Sequence, residues 1–282
     1  MRSARSFKEQ GVRAKKGLGQ HFLVDPQAVC KIVDGAEVGP EDTILEIGPG
    51  PGILTVPLAE RAGRVIAVEL DKEMIESLRQ ALVGKDNVEI VHGDILEQEI
   101  PALVGDGPYK VVANLPYYIT SAILRYLLTS ANRPSCLVIT VQREVAERIV
   151  GRPQKKQRHK RSLRMSLLAV SVQFYGQPRL LARIPAGSFR PIPAVDSAVL
   201  RVDTYDPLPW GVDDEKLFFQ VVRAGFAQSR KQLGNALQNG LRFPAEQIVG
   251  ALEAAGIDRR RRAETLSVQE WVVLSDMLRS GR

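Results

Sequence analysis

The chain has 282 residues, 44% hydrophobic and 25% charged, with 23 Gly, 17 Pro and 2 Cys, a balance that excludes low-complexity disorder, collagen-like repeats and disulfide-stapled miniproteins. Its longest apolar runs, such as Cys136 to Val141, fall short of the ~18–20 residues that span a bilayer, and its basic first sixteen residues have no apolar h-region; a cytoplasmic chain with no membrane span and with Cys30 and Cys136 as reduced packing thiols is expected. The net charge of +7 divides into +5 over residues 1–24, −9 over 25–147, +11 over 148–195 with no acid at all, and zero over 196–282, a distribution that points to a polyanionic partner bound through counterion release.

In chain order, a basic arm over 1–24 is followed by short β-branched runs that alternate with helical periods. Strands are expected at Thr43 to Ile47, Arg64 to Leu70, Val88 to His92, Lys110 to Asn114 and Cys136 to Val141. Helices are expected at Ile53 to Arg61, Lys72 to Leu82, Ser121 to Ser130 and, more weakly, Gln98 to Val104. This alternation predicts an α/β fold with a doubly wound parallel sheet, whose ligands bind at the carboxyl ends of the strands. After Gly151 a polar, basic loop runs to Lys160, Leu163 to Tyr175 has an amphipathic period, and Ile184 to Pro193 is Pro-rich. Helices near 213–228, 230–239, 244–255 and 267–280 then predict a smaller helical domain over 206–282, with the sheet domain over 25–205.

Three glycines, Gly48, Gly50 and Gly52, follow the first strand. Glycine lets the backbone turn sharply and a ligand approach without a Cβ, and the N–H groups of a following helix add partial positive charge. A Gly-x-Gly-x-Gly turn alone suits several kinds of nucleotide or an ordinary tight turn. Glu69 ends the second strand about 20 residues on, where a carboxylate can accept the hydroxyls of a ribose. Asp94, after the third strand, is a further acceptor, suited to an adenine amino group. As isolated residues both acids would be helix caps or surface groups. NAD would use the same ribose carboxylate, but dinucleotide sites use Gly-x-Gly-x-x-Gly spacing, and no hydride-transfer constellation is recognisable. The three His and two separated Cys form no metal-ligand pattern.

The fourth strand runs into Asn114-Leu115-Pro116-Tyr117. This tetrapeptide resembles the catalytic loop of S-adenosylmethionine-dependent enzymes that methylate planar amino nitrogens. The exocyclic nitrogen of adenine is a poor nucleophile because its lone pair is delocalised into the ring. The Asn114 side-chain carbonyl and the Leu115 backbone carbonyl can accept its two hydrogens and favour a geometry that frees the lone pair. Pro116 restricts the residue before it, and Tyr117 offers a face for an extruded base. The competing reading is a loop with a structural proline and a core tyrosine.

Lys15 to Leu23, the glycine turn, Asn114 to Ile119, Val141 to Arg148, and Pro185 to Pro193 followed by Val195 to Val199 together resemble the ribosomal RNA adenine dimethyltransferase family, in consistent order over nearly the whole chain. The resemblance implies a Rossmann-like class I methyltransferase sheet with a C-terminal helical RNA-recognition domain. It implies S-adenosylmethionine contacts at His21, Leu23, Gly48, Glu69, Asp94 and Asn114, with Gln20 beside them. It also implies that Phe189 is the second aromatic that sandwiches the target adenine against Tyr117.

Within the family, the Lys-Lys-x-Leu-Gly-Gln-x-Phe-Leu start and the long C-terminal region favour the bacterial branch that dimethylates two adjacent adenines near the 3′ end of 16S RNA, in the small ribosomal subunit or its precursor. The alternatives are a 23S RNA adenine N6-methyltransferase and a noncatalytic RNA-binding assembly factor on the same scaffold. A monomer is expected. One departure concerns Lys160 to Ser166, where family members commonly carry an acidic-Tyr-Gly sequence. With the basic loop before it, this stretch makes Lys155, Lys156, Arg158, Lys160 and Arg161 the expected phosphate contacts.

Overall fold

The structure, a computed structural model, describes residues 14–151 and 165–280. The five expected phosphate contacts from Lys155 to Arg161 lie outside the described residues. The chain divides into two units, one formed by residues 1–146 and 177–204, the other by 147–176 and 205–282. Among the described residues, 147–151 and 165–176 group with the C-terminal helices in this division. None of the helices among the described residues is long and apolar enough to cross a membrane.

The first unit is built on seven strands: β2 (Thr43–Ile47), β3 (Arg64–Glu69), β4 (Val88–His92), β5 (Tyr109–Asn114), β6 (Cys136–Gln142), β7 (Gly176–Ile184) and β9 (Ser197–Thr204). Their order across the sheet is β4-β3-β2-β5-β6-β9-β7. The strands from β4 to β6 are parallel, and β9 runs antiparallel to β6 with Gln142 opposite Ser197. The order reverses between β2 and β5, which places a ligand crevice beyond their carboxyl ends. Central strands such as β6, buried at six consecutive residues, read as continuous apolar runs because helices cover parallel sheets on both faces. Strand β7 was not expected: its burial alternates residue by residue through Arg179 and Arg183, as an edge strand with one wet face does, and in sequence it reads as part of the basic stretch. A two-stranded ribbon pairs β1 (Phe22–Leu23) with β8 (Phe189–Arg190), antiparallel.

The helices of this unit follow local cap chemistry. Helix α1 (Pro26–Gly35) starts with Asp25 accepting from the Gln27 N–H and with Pro26 in the first turn. Helix α2 (Thr55–Ala59) is shorter than the expected Ile53 to Arg61, although the flanking Leu54 and Glu60 keep right-handed helical dihedrals. Helix α3 (Lys72–Ala81) is capped by Asp71, α4 (Ile100–Val104) is one turn, and α5 (Thr120–Leu128) buries Ile123, Leu124, Leu127 and Leu128 on one face. Helix α6 (Arg143–Ile149) runs directly out of β6.

The second unit comprises α7 (Leu167–Tyr175), α8 (Glu215–Ala227), α9 (Leu233–Gly240), α10 (Ala245–Ala254) and α11 (Val268–Ser280). Its aromatic core explains why the segment before 176 belongs to it. Phe174 of α7 stacks on Phe218 of α8 at 4.4 Å, the Tyr175 hydroxyl donates to Glu215, and the Trp210 indole N–H donates to the Phe174 carbonyl. Trp271 of α11 is fully buried against Gly225 of α8, where an added Cβ would lie 2.4 Å from the indole.

Candidate active site

A cleft of about 860 Å³, its open mouth included, lies within the first unit at the carboxyl ends of β2, β3 and β5. This is within the size range of small-molecule sites. It brings together Gly48, Glu69, Asp94, Asn114, Leu115, Pro116, Tyr117, His21 and Phe189, nine of the ten residues expected in the catalytic and cofactor sets. The tenth, Leu23, does not line it.

The glycine turn forms the floor. Gly48, at φ +66°, donates to the Val68 carbonyl at 2.9 Å, which ties the turn to β3. No atom lies within 4 Å of where its Cβ would stand, so a ligand can approach the backbone there. Gly50, at φ +55°, donates to Glu69 Oε2 at 2.9 Å, and the Asp71 N–H donates to Glu69 Oε1 at 2.8 Å. Glu69 is 4% exposed, and burial pushes its carboxyl above the usual carboxylate range while the two N–H bonds oppose that shift. Each Glu69 oxygen holds one backbone N–H and keeps a lone pair for a hydroxyl. Asp94 is both a cap and a cleft residue: Oδ1 accepts from the Leu96 N–H at 3.0 Å, and Oδ2 has no protein hydrogen bond among the described residues. An open backbone at Gly48, two carboxylates at successive strand ends and an apolar wall from Ile95 fit the ribose and adenine of S-adenosylmethionine. The short α2 adds little to ligand binding, since it starts only at Thr55 and the Gly50 N–H before it is taken by Glu69.

At the end of β5 the Asn114 amide donates from Nδ2 to the His21 carbonyl at 3.0 Å. A carbonyl accepts only, so this bond fixes which end of the amide is nitrogen and leaves Oδ1 as the acceptor. His21 is held in turn, with Nδ1–H donating to the Pro191 carbonyl at 2.7 Å and its ring stacked on Tyr117 at 5.7 Å and 24°. The Tyr117 phenol pairs with the buried Ser197 hydroxyl at 2.6 Å, and burial raises its pKa. Pro116 presents its carbonyl to the Thr120 hydroxyl at 3.3 Å, which docks the tetrapeptide onto α5.

Two expected contacts are placed differently. Leu23 is fully buried in the hydrophobic cluster with Ile32 and Ile184, because alternation along β1 turns Leu23 inward and Phe22 toward the cleft. Phe22, not singled out from the sequence, lies against Gly50, whose added Cβ would be 3.3 Å from its ring; period-two alternation through Phe22-Leu23 was the available signal. Phe189 reaches the cleft wall, but it is 1% exposed and packs in the same cluster as Leu23, so its ring faces are covered by protein.

Comparisons with known proteins agree with this geometry. Residues 11–280 match the family model described as ribosomal RNA adenine dimethylase. The chain is 46% identical over 280 residues to ribosomal RNA small subunit methyltransferase A of Moorella thermoacetica, covering 96% of this chain and 94% of the relative. It is 45% identical over 261 residues to the protein of the same name from Dehalococcoides mccartyi strain CBDB1, covering 92% and 87%. The crystal structure of the 23S rRNA methyltransferase ErmE superposes with a TM-score of 0.70 at 27% identity, covering 92% of this chain and 99% of that one. With a strand order that reverses at the glycine turn, a carboxylate at each of the next two strand ends and Asn114 oriented as an acceptor, the match extends from sequence to site, and the chain belongs to the ribosomal RNA adenine dimethylase family.

Proposed function

We propose that the protein transfers methyl groups from S-adenosylmethionine to the N6 amino groups of two adjacent adenines near the 3′ end of 16S RNA, acting as a monomer in the cytoplasm on the small ribosomal subunit or its precursor. The observation that carries this reading is the orientation of Asn114, whose Nδ2 is committed to the His21 carbonyl and whose Oδ1 is left to accept, beside Tyr117 at the mouth of the cleft. S-adenosylmethionine, when bound, supplies an electrophilic methyl group with a neutral thioether as leaving group. Gly48, Glu69 and Asp94 hold the cofactor. Asn114 Oδ1 and the Leu115 carbonyl accept the two N6 hydrogens and localise the lone pair, and Tyr117 stacks on the extruded base. This arrangement needs no strong general base. The 206–282 region and the basic loop serve RNA recognition.

Relatives named for the small subunit, at 45–46% identity, favour 16S RNA over 23S RNA, for which the related structure is 27% identical. The test is labelled methyl transfer to unmethylated small-subunit particles, with 23S RNA in parallel and nucleoside analysis of the product. Dimethyladenosine in 16S RNA is expected. Particle binding without transfer would favour a noncatalytic assembly factor. Asn114→Ala is expected to abolish transfer while cofactor and particle binding persist; normal turnover would remove Asn114 from its role.

A further inference from the structure

The roof of the cofactor cleft is made by the N-terminal arm: Leu18, Gly19, Gln20, His21 and Phe22 all line it. Two anchors of this roof are already described, the β1–β8 pairing and the Asn114 bond to the His21 carbonyl. A third is polar and sits at Asp71. The Asp71 side chain is only 1% exposed and accepts from Lys15 Nζ at 2.8 Å, Gln20 Nε2 at 3.3 Å and the Glu73 N–H at 3.0 Å. Gln20 Oε1 in turn accepts the Lys15 N–H at 2.8 Å, closing a small ring between arm and helix. The Asp71 N–H donates to Glu69 Oε1, so this ring is one hydrogen bond from the ribose acceptor.

Capping α3 does not require a charge at position 71, since asparagine caps as well as aspartate. A buried carboxylate is costly unless paired. Burial alone would raise the Asp71 pKa, yet the Lys15, Glu73 and Gln20 bonds outweigh it and hold the carboxyl below the usual carboxylate range. Besides capping the helix, the charge at 71 is thus matched to the cation of the arm. Lys15 is 41% exposed and also lies 3.2 Å from Glu73, so its ion pairs are open to screening by salt.

We propose that Lys15 and Asp71 form an electrostatic latch that fastens the arm as the roof of the cofactor site, making both of them positioning residues that set how tightly the cofactor is retained. The latch acts through Gln20 and Glu69 and touches no reacting atom. It rests on the reading of the cleft as the S-adenosylmethionine site.

The test uses the full chain and S-adenosylhomocysteine, which carries no net charge at neutral pH, titrated by calorimetry at low and high KCl. Asp71→Asn keeps the helix cap and removes the charge, and Lys15→Met keeps the aliphatic stem. Each is expected to raise Kd roughly tenfold, as expected for removing one charge-assisted bond. The double variant is expected to be no worse than either single, because both break the same pair. Kd of the wild type is expected to rise with KCl, while that of Lys15→Met, which loses the pairs to both Asp71 and Glu73, stays flat. Amide exchange at residues 17–22 should quicken in both variants, and kcat at saturating cofactor should hold.

Unchanged affinity in both singles, or effects that multiply in the double variant, would overturn the latch. Lys15→Met changes a half-exposed side chain and carries the test alone if Asp71→Asn does not fold. A wild type that fails to bind S-adenosylhomocysteine would overturn the cofactor reading and the latch with it, whereas equal binding by wild type and variants overturns the latch only.

Discussion

Glu46 stands on β2 two residues before the glycine turn and is 1% exposed, with Oε2 lacking a hydrogen-bond partner among the described residues. Burial pushes its carboxyl up to about 8, and the Glu69 carboxylate adds to the shift. Between about 4.5 and about 8 the folded chain holds a proton there that the unfolded chain has released. Stability therefore falls as pH rises through that interval, by at most about 1.4 kcal/mol per pH unit. Glu46→Gln keeps the shape and cannot ionise, so it is expected to lose this slope. Urea unfolding from pH 5 to 8 checks it: parallel pH profiles for the two proteins would mean that Glu46 is ionised in the folded state. The neighbouring Glu69 accepts two backbone N–H bonds and lines the cleft, and the contrast between these two buried acids separates a packed carboxyl from a hydrogen-bonded one.

At the scale of elements, the Asn114–Tyr117 tetrapeptide is held from three sides: by β5 through Asn114, by α5 through the Thr120 bond to Pro116, and by β9 through Ser197. Ser197 was part of a motif in the sequence, but its partner lies 80 residues earlier and no local pattern announces the pair. Ser197→Ala leaves the half-buried Tyr117 phenol unpaired, at a cost of ~1–3 kcal/mol, and frees the ring to tilt. Methyl transfer is expected to slow about tenfold with unchanged affinity for S-adenosylhomocysteine, and in a Tyr117→Phe background the same change should do no further harm. Equal effects in both backgrounds would show that Ser197 does not act through the phenol. The strands of the parallel sheet were legible to within a residue, because buried β-branched runs and glycine turns are local signals. Helix α1 and strand β9 were not singled out, and strand β7 and the β1–β8 ribbon were not legible, because a wet edge strand and a two-residue pairing carry little local hydrophobic pattern.

For the whole molecule, the charge distribution makes a prediction that the folded site does not. The acidic stretch 25–147 contains the two cleft carboxylates, Glu69 and Asp94, and the basic segments on either side are suited to phosphate. Replacing Lys155, Lys156, Arg158, Lys160 and Arg161 by Ser is expected to weaken RNA binding and flatten its salt dependence by about 0.7–0.9 in logarithmic slope for each phosphate no longer neutralised. Cofactor affinity should not move. Binding isotherms across a KCl series decide it, and an unchanged slope removes the loop from the RNA interface. The sequence by itself determined the parallel strands, the glycine turn, the strand-end acids and the Asn114 loop, since each depends on residues close together in the chain. Only the tertiary structure decided that Phe22 and not Leu23 faces the cleft, that Lys15 meets Asp71 56 residues away, and that helix α7 packs with the C-terminal helices. Those outcomes depend on which distant surfaces can be buried together, and a local pattern of residue types does not specify them.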